Sequence, residues 1–175
     1  TLILGDTSSS YTLGNGQANR VTIGVSDTAS DGVANDASAS VTLGTNDDIV
    51  TGSGGQDTVV AVTDTDAADN VNLGAGNDTV TAANLIAATA TFVGGAGNDT
   101  LSYADDIDVV STGLTLTSGF DTIALADDTN DGAISVTLTD AVVGSSDSDT
   151  MTISAAGAND TVTVNANLAA ANTLI

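Results

Sequence analysis

The chain lacks several residue types on which common folds and sites depend. Its 175 residues include no cysteine, proline, histidine, tryptophan or lysine, and only one arginine, Arg20. The absence of cysteine excludes a disulfide framework and zinc–thiolate sites. No apolar run approaches the roughly 20 residues of a membrane span. Because a basic footprint is missing as well, we do not expect a nucleic-acid partner.

The residues that usually carry out catalysis are also missing. General acid–base and nucleophilic catalysis mostly recruit His, Glu, Lys or Cys, and none of these occurs in the chain. Paired aspartates remain a route to glycoside cleavage, but the clustered pairs here lie in sequences typical of turns. We therefore expect no catalytic residue, and the protein is predicted not to be an enzyme in this segment.

Aspartate is the residue type that the chain has in excess. All 23 acidic residues are Asp, and the formal net charge is −22. Asp favours turns, because its short side chain bonds to nearby backbone, and its oxygens suit hard cations. High net charge is also typical of disorder. The 41% of hydrophobic residues and the alternation of Val, Ile, Leu and Thr favour a folded chain instead.

A motif rich in glycine and aspartate recurs along the middle of the chain. Residues 94–102, Gly-Gly-Ala-Gly-Asn-Asp-Thr-Leu-Ser, fit the pattern G-G-x-G-x-D-x-U-x, in which U is a large apolar residue. Related copies lie at 43–51, 52–60 and 73–81, with weaker ones at 118–123, 144–151 and 157–162. Steps of 21, 21 and 22 residues separate Asp57, Asp78, Asp99 and Asp121. A fixed period in this range predicts a solenoid.

Short alternating runs between the motifs predict an all-β chain of strands and polar bends. The core repeats span 43–125, irregular coils precede them at 1–42, and degenerate repeats continue the solenoid over 126–175. The predicted strands are 1–4, 11–13, 21–23, 40–43, 58–62, 70–73, 79–83, 91–93, 100–103, 134–138, 150–153, 161–164 and one near 174. The predicted solvated bends carry Asp64/Asp66/Asp69, Asp105/Asp106/Asp108 and Asp127/Asp128/Asp131; the alternative for these clusters is a second row of ions. Since there is no initiator Met, we expect a piece of a longer or processed protein.

Stacking of the repeats has an electrostatic consequence. If each unit of about 21 residues forms one coil, the four periodic aspartates stack at about the 4.8 Å spacing of neighbouring strands. Two unit charges at that distance repel by roughly 3.5 kcal/mol at an effective dielectric constant near 20. A divalent cation between turns reverses the sign, and Ca²⁺ accepts irregular shells of carbonyl and carboxylate oxygens. The sequence therefore predicts several Ca²⁺ ions; the alternative is that Gly-Asn-Asp is only a favourable turn.

Residues 43–125 resemble the calcium-binding RTX repeats of proteins exported by Gram-negative type I secretion. The resemblance implies a right-handed parallel β-roll or β-helix whose turns bind Ca²⁺ through the motif's Asp side chain and nearby carbonyls. The implied ligands are Gly74, Gly76, Asn77 and Asp78 in one turn and Gly95, Gly97, Asn98 and Asp99 in the next. Less complete copies add the candidates Asp48, Gly52, Gly54, Asp57, Gly119, Asp121, Asp149 and Asp160. The 21-residue unit departs from the family's usual pair of stacked nonapeptides, so a second ion row on the opposite edge does not carry over.

The composition also resembles that of bacterial surface-layer proteins and large adhesins. We therefore expect a calcium-stabilised extracellular structural protein of the bacterial cell surface that self-assembles into a surface layer, filament or biofilm matrix. Cell-surface polysaccharide is a candidate partner. The alternatives are a calcium-rigidified adhesin stalk and the calcium-binding tail of a secreted enzyme. An ice-binding adhesin is one form of the first, indicated by the pairs Thr79/Thr81, Thr115/Thr117, Thr150/Thr152 and Thr161/Thr163, although Thr is also ordinary on an exposed strand face.

Overall fold

Short strands make up almost all of the regular structure. The computed structural model describes residues 2–4, 9–14, 18–23, 38–52, 54–61, 68–82, 89–103, 117–125, 133–138, 140–143, 150–155, 161–166 and 173–175. The elements are β1 (Leu2–Leu4), β2 (Ser9–Thr12), β3 (Arg20–Ile23), β4 (Ala39–Thr42), β5 (Ile49–Thr51), β6 (Thr58–Ala61), β7 (Asn70–Ala75), β8 (Thr79–Ala82), β9 (Thr91–Ala96), β10 (Thr100–Tyr103), β11 (Thr117–Ser118), β12 (Thr122–Leu125), β13 (Ala133–Leu138), α1 (Asp140–Val143), β14 (Thr150–Ala155), β15 (Thr161–Ala166) and β16 (Thr173–Leu174).

Successive strands alternate between two sheets, and every pairing between described strands is parallel. One sheet has six strands in the order β1-β3-β5-β7-β9-β11, and the other has eight in the order β16-β14-β12-β10-β8-β6-β4-β2. Strands β13 and β15 form a separate parallel pair. A chain that adds strands to two sheets in turn, always in the same direction, fits a parallel β-solenoid. The all-β prediction is confirmed, whereas the right hand stays a prediction.

The pairing register steps evenly only through the middle of the chain. Thr58 pairs with Thr79 and Thr79 with Thr100, so both steps equal the spacing of the aspartate series. In the six-stranded sheet Asn70 pairs with Thr91, which is the same step. The step is shorter from Ser40 to Thr58 and longer from Thr122 to Thr152. Strands β12 and β14 are paired in register across the longer step, so the ladder of the eight-stranded sheet continues through it.

Strand alternation builds the core between the two sheets. The burial pattern of β6, β8, β10 and β12 is the same, with the second and fourth residues buried and the others half-buried. In register, the inward column of the eight-stranded sheet runs through Val41, Val59, Val80, Leu101 and Ile123. Stacked β-branched and leucine side chains suit this pleated, buried surface. The coils are thus held by one continuous apolar column as well as by their backbone ladders.

The outward face of the eight-stranded sheet is hydroxyl-rich. One column in register consists of Ser10, Ser40, Thr58, Thr79, Thr100, Thr122 and Thr152. The neighbouring column consists of Thr12, Thr42, Val60, Thr81, Ser102, Ala124 and Ser154. These fourteen side chains are half-buried or exposed, and none of them is charged. Among the described residues, six aspartates each directly precede a strand: Asp48, Asp57, Asp69, Asp78, Asp99 and Asp121.

Most predicted strands are present; β5, β11 and β12 were not among the predicted ranges, and three further differences occur. Strands β7 and β9 run on to Ala75 and Ala96, through residues expected in the glycine turn, because Gly74 and Ala75 still pair with Gly95 and Ala96. The helical turn α1 was not predicted. Thr117 is 4% exposed, so it does not lie on an outer face; Thr115, its partner in the predicted pair, lies outside the described residues. Asp149, Asp160 and all the predicted bend aspartates except Asp69 lie outside the described residues.

Candidate functional site

Aspartates that precede strands of the eight-stranded sheet form a column along one edge of the solenoid. We call this edge the glycine edge, because its turns are rich in glycine. The backbone N–H of Asp57 donates to Asp78 Oδ1 at 2.7 Å, and that of Asp78 donates to Asp99 Oδ1 at 2.8 Å. The N–H of Asp99 then donates to Asp121 Oδ2 at 2.9 Å. Each carboxylate therefore reaches back to the preceding coil, and the structure brings the four periodic aspartates together.

In the coils just before and just after this column, an apolar residue occupies the position that corresponds to the aspartate. The backbone N–H of Ala39 donates to Asp57 Oδ1 at 2.9 Å, one coil before the first aspartate. Because Thr122 pairs with Thr152, the position opposite Asp121 in the following coil is Met151, which is buried.

The inner aspartates of the column are almost fully buried. Asp57, Asp78 and Asp99 are at most 1% exposed. Asp78 Oδ2 is buried and has no hydrogen-bond partner in the described part of the chain. Burial raises the pKa of Asp78 from its ordinary 3.8 to about 6; the Asp57 N–H lowers it and the Asp57 charge raises it. A buried carboxylate oxygen without a partner is costly unless a proton or a cation neutralises it.

Glycine allows the turns of this edge to stack closely. Gly76 and Gly97 have φ of 144° and 127°, which side chains rarely adopt. A Cβ on Gly97 would overlap the carbonyl oxygen of Gly76, and one on Gly76 would overlap that of Gly55. The carbonyl oxygens of Gly55 and Gly76 therefore approach the glycine of the following coil. The motif requires glycine here for both its φ angle and its lack of a side chain.

A second glycine position packs against the carboxylates themselves. A Cβ on Gly52 would lie 2.7 Å from Asp57 Oδ2, and one on Gly94 would lie 2.8 Å from Asp99 Oδ2. The middle coil has Leu73 at the corresponding position, since Gly74 pairs with Gly95. Close approach of a glycine to the carboxylate is therefore a feature of two of these three coils and not a condition for forming the column.

Outside the aspartates, a second set of side chains links the same coils in the opposite direction. Asn77 Oδ1 accepts a hydrogen bond from the Asn98 N–H at 2.9 Å, and Ser38 Oγ accepts one from the Gln56 N–H at 3.2 Å. Here the side chain reaches forward to the next coil. An open groove of about 500 Å³ runs over these turns, and its lining residues are Ser38, Gly54, Gly55, Gln56, Gly76, Asn77, Ala96 and Gly97.

The donor atoms of the glycine edge suit a hard cation. No group of three or more Asp side chains in the described ranges is arranged to share a metal ion. A cation at this edge would therefore combine a carboxylate such as that of Asp78 with backbone carbonyl oxygens. Ca²⁺ accepts such mixed oxygen shells, whereas Mg²⁺ prefers a more regular one with retained water. The buried Oδ2 of Asp78 is the atom that such an ion would satisfy.

The structure places Asp48 and Asp69 at the opposite edge, where the chain passes from the eight-stranded to the six-stranded sheet. The Asp48 N–H donates to Asp69 Oδ1 at 2.8 Å. The prediction that Asp69 lies in a solvated bend is wrong, because Asp69 is 7% exposed and belongs to this column. The sequence did contain an indication of this column. Asp48 and Asp69 each precede a strand, and the number of residues between them equals the spacing of the glycine-edge aspartates. Asp48 is not part of the Asp57–Asp121 column.

The carboxylate of Asp48 is saturated by protein donors. Its Oδ1 accepts hydrogen bonds from the backbone N–H and the Nδ2 of Asn19, both at 2.9 Å, and its Oδ2 accepts one from the Gly44 N–H at 2.8 Å. Asp48 itself is fully buried. The residue before it, Asp47, is exposed, and its Oδ1 accepts the Ala68 N–H at 2.8 Å. At both edges, therefore, an exposed side chain accepts a hydrogen bond from the following coil, and the buried aspartate next to it accepts one from the preceding coil.

The two parallel sheets and the aspartate columns at their edges fit a parallel β-solenoid. Comparison with models of known families, with curated proteins and with solved structures gave no match. No helix among the described residues is long and apolar enough to cross a membrane.

Proposed function

We propose that this chain belongs to a calcium-stabilised extracellular structural protein of the bacterial cell surface. In this proposal Ca²⁺ binds along the glycine edge and fixes the coils as a stiff rod. The rod then self-associates into a layer, filament or matrix. The proposal rests above all on one observation, the buried Oδ2 of Asp78 that has no hydrogen-bond partner in the described residues.

The resemblance to RTX repeats names the residues that would hold the ion. They are Asp78 with the turn carbonyls of Gly74, Gly76 and Asn77, and Asp99 with those of Gly95, Gly97 and Asn98. Two features of the structure support this choice. The four glycines of these turns have positive φ, and both aspartates are buried in one column with their backbones hydrogen-bonded to carboxylates. The ion would supply positive charge to a column that has none of its own.

Self-association is supported by the strands at the ends of the sheets. Among the described strands, β1 and β11 in one sheet and β2 and β16 in the other each pair on one side only. Such edges accept further strands from another copy or from more of the same chain. The net charge of −22 opposes association in the absence of a counter-ion, so assembly is expected to require the cation as well.

The experiment is a calcium titration of the metal-stripped protein. Isothermal calorimetry measures binding, circular dichroism follows the β signal, and electron microscopy with and without Ca²⁺ shows whether layers or filaments form. We expect saturable binding, a higher melting temperature and assembly in Ca²⁺. No binding and an unchanged melting temperature would reject the calcium part. Binding without assembly would instead favour a monomeric stalk.

The outward face of the eight-stranded sheet supports a second candidate, an ice-binding adhesin segment. Its two hydroxyl-rich columns are uncharged and in register over seven strands. Hydroxyl groups both donate and accept hydrogen bonds, and Thr side chains are stiff at χ1, so the face can order water. A thermal hysteresis assay of the calcium-loaded chain decides this, with Thr79→Lys, placed mid-column, as the variant that should abolish any activity.

A further inference from the structure

The two edges of the solenoid satisfy their buried aspartates in different ways. Asp48 and Asp78 are both almost fully buried, both directly precede a strand, and both donate their own N–H to the aspartate one coil further on. Asp48 accepts three hydrogen bonds that cover both of its oxygens. At Asp78 one N–H covers Oδ1, and Oδ2 has no hydrogen-bond partner in the described residues.

This difference bears on which edge needs an ion. A carboxylate whose oxygens already accept several N–H bonds is stabilised by those dipoles and gains little from a cation. Such a cation would also have to displace the donors, which would leave buried N–H groups without acceptors at a cost comparable to a lost hydrogen bond. At Asp78 an ion displaces nothing at Oδ2.

The edge around Asp48 is also linked across three successive coils without any ion. Asn19 lies in one coil, Gly44 and Asp48 in the next, and Asp69 in the one after, and hydrogen bonds of 2.8–2.9 Å join them in sequence. Asp47 adds the outer bond to the Ala68 N–H at 2.8 Å. The column ends at the next rung, where the buried Ala90 replaces an acidic residue.

We propose that the solenoid has one cation-controlled edge and one cation-independent edge. The Asn19–Asp48–Asp69 column keeps the coils in register when the cation is removed, and only the glycine edge loosens. This inference rests on the proposed calcium binding at the glycine edge, and it assigns Asp48 to the framework, although its motif marks it as a ligand. The solenoid would then open on one side and remain joined along the other.

Amide hydrogen exchange of the unmodified chain, followed by NMR in Ca²⁺ and in chelator, tests this without any substitution. We expect the amides of Asp57, Asp78 and Asp99 to exchange at least about tenfold faster in chelator, the ratio that follows from an opening equilibrium shifted by about 1.4 kcal/mol. The amides of Asn19, Gly44 and Asp48 should keep their protection. Equal acceleration at both edges would overturn the inference while leaving calcium binding intact.

A matched pair of variants separates the two roles. Asp48→Asn places an amide donor among the N–H donors of Asn19 and Gly44, so its melting temperature should fall equally in Ca²⁺ and in chelator, with calcium stoichiometry unchanged. Asp78→Asn should instead bind fewer Ca²⁺ ions per chain than the unmodified protein. If Asp48→Asn lowers the stoichiometry as Asp78→Asn does, Asp48 is a ligand and the inference is wrong. If Ca²⁺ alters neither edge of the unmodified chain, the proposed function fails, and the cation-controlled edge fails with it.

Discussion

Replacing Asp78 by asparagine should have opposite effects on stability with and without calcium. The variant retains an Oδ1 that can accept the Asp57 N–H, which donates at 2.7 Å in the unmodified chain. It removes the charge on a group that is 1% exposed. In chelator we therefore expect Asp78→Asn to be more stable than the unmodified chain. In saturating Ca²⁺ we expect it to be less stable, because it loses a ligand.

The size of the gain in chelator follows from the cost of the buried charge. Raising the pKa of Asp78 from 3.8 to about 6 corresponds to an upper limit of roughly 3 kcal/mol at neutral pH, at about 1.4 kcal/mol per unit. Screening by water in the adjoining groove reduces this, so we expect about 1–2 kcal/mol. For a chain of this length that is a rise of roughly 2–8 °C in melting temperature.

Thermal and urea unfolding followed by circular dichroism measures both signs. The matched control is Asp47→Asn, since Asp47 also uses Oδ1 to accept an N–H but is exposed. That control should change the melting temperature by less than about 2 °C in either condition, as surface substitutions usually do. The reasoning is refuted if Asp78→Asn destabilises the protein in chelator, because the carboxylate would then be favourable without any ion.

Three further predictions concern pH, backbone and core. Without Ca²⁺ the raised pKa of Asp78, about 6, means that the folded state binds the proton more tightly than the unfolded state, so stability should rise as the pH falls from 7 towards 4. With Ca²⁺ present, stability should instead fall as the pH is lowered over the same range, because Ca²⁺ binding needs the ionised carboxylate. Urea unfolding at a series of pH values, with and without Ca²⁺, measures both trends. Gly97→Ala should lower the free energy of unfolding by about 2 kcal/mol or more, because φ is 127° and the added Cβ meets the Gly76 carbonyl oxygen. The control Gly14→Ala should leave stability nearly unchanged, because a Cβ there meets no atom within 4 Å. Equal melting temperatures for the two variants would contradict this account. Tyr103→Phe should raise stability by up to about 1 kcal/mol in urea unfolding, because its buried hydroxyl has no hydrogen-bond partner in the described residues; a loss would indicate a partner such as water.

The repeat predicts the fold and one column well because both depend on a single period. Asp57, Asp78 and Asp99 are evenly spaced in the sequence, and each directly precedes a strand of the same sheet. Once strands stack at one residue step, side chains at that step must share a column. Val59 and Val80, the second residues of β6 and β8, are buried and then fix which face of the sheet points inward. Local sequence is therefore sufficient for this part of the molecule.

The second column was missed because a turn motif does not reveal which edge it occupies. The stretch from Leu43 to Asp48 looks like the one from Leu73 to Asp78, yet the first leads from β4 to β5 and the second from β7 to β8. Which sheet a turn enters depends on how many strands came before it. The number of preceding strands cannot be determined from the turn sequence alone. In the structure it places Asp48 at the edge with Asn19 and Asp69. Without the coil, Asp69 resembles any other aspartate in a polar bend.

The choice between aspartate and asparagine within one turn bears on the role of the charge. Asn77 and Asp78 are adjacent, and each uses one side-chain oxygen to accept an N–H from a neighbouring coil. Asn77 shows that an amide is sufficient for that bond, and Asn19 lies on the corresponding rung of the other edge. Hydrogen bonding between coils therefore does not explain why the buried rung carries a carboxylate that burial disfavours. What aspartate has and asparagine lacks is a second acceptor oxygen with negative charge. At Asp78 that oxygen finds no donor in the described chain, so the proposed cation would give the aspartate column a physical reason that turn formation alone does not.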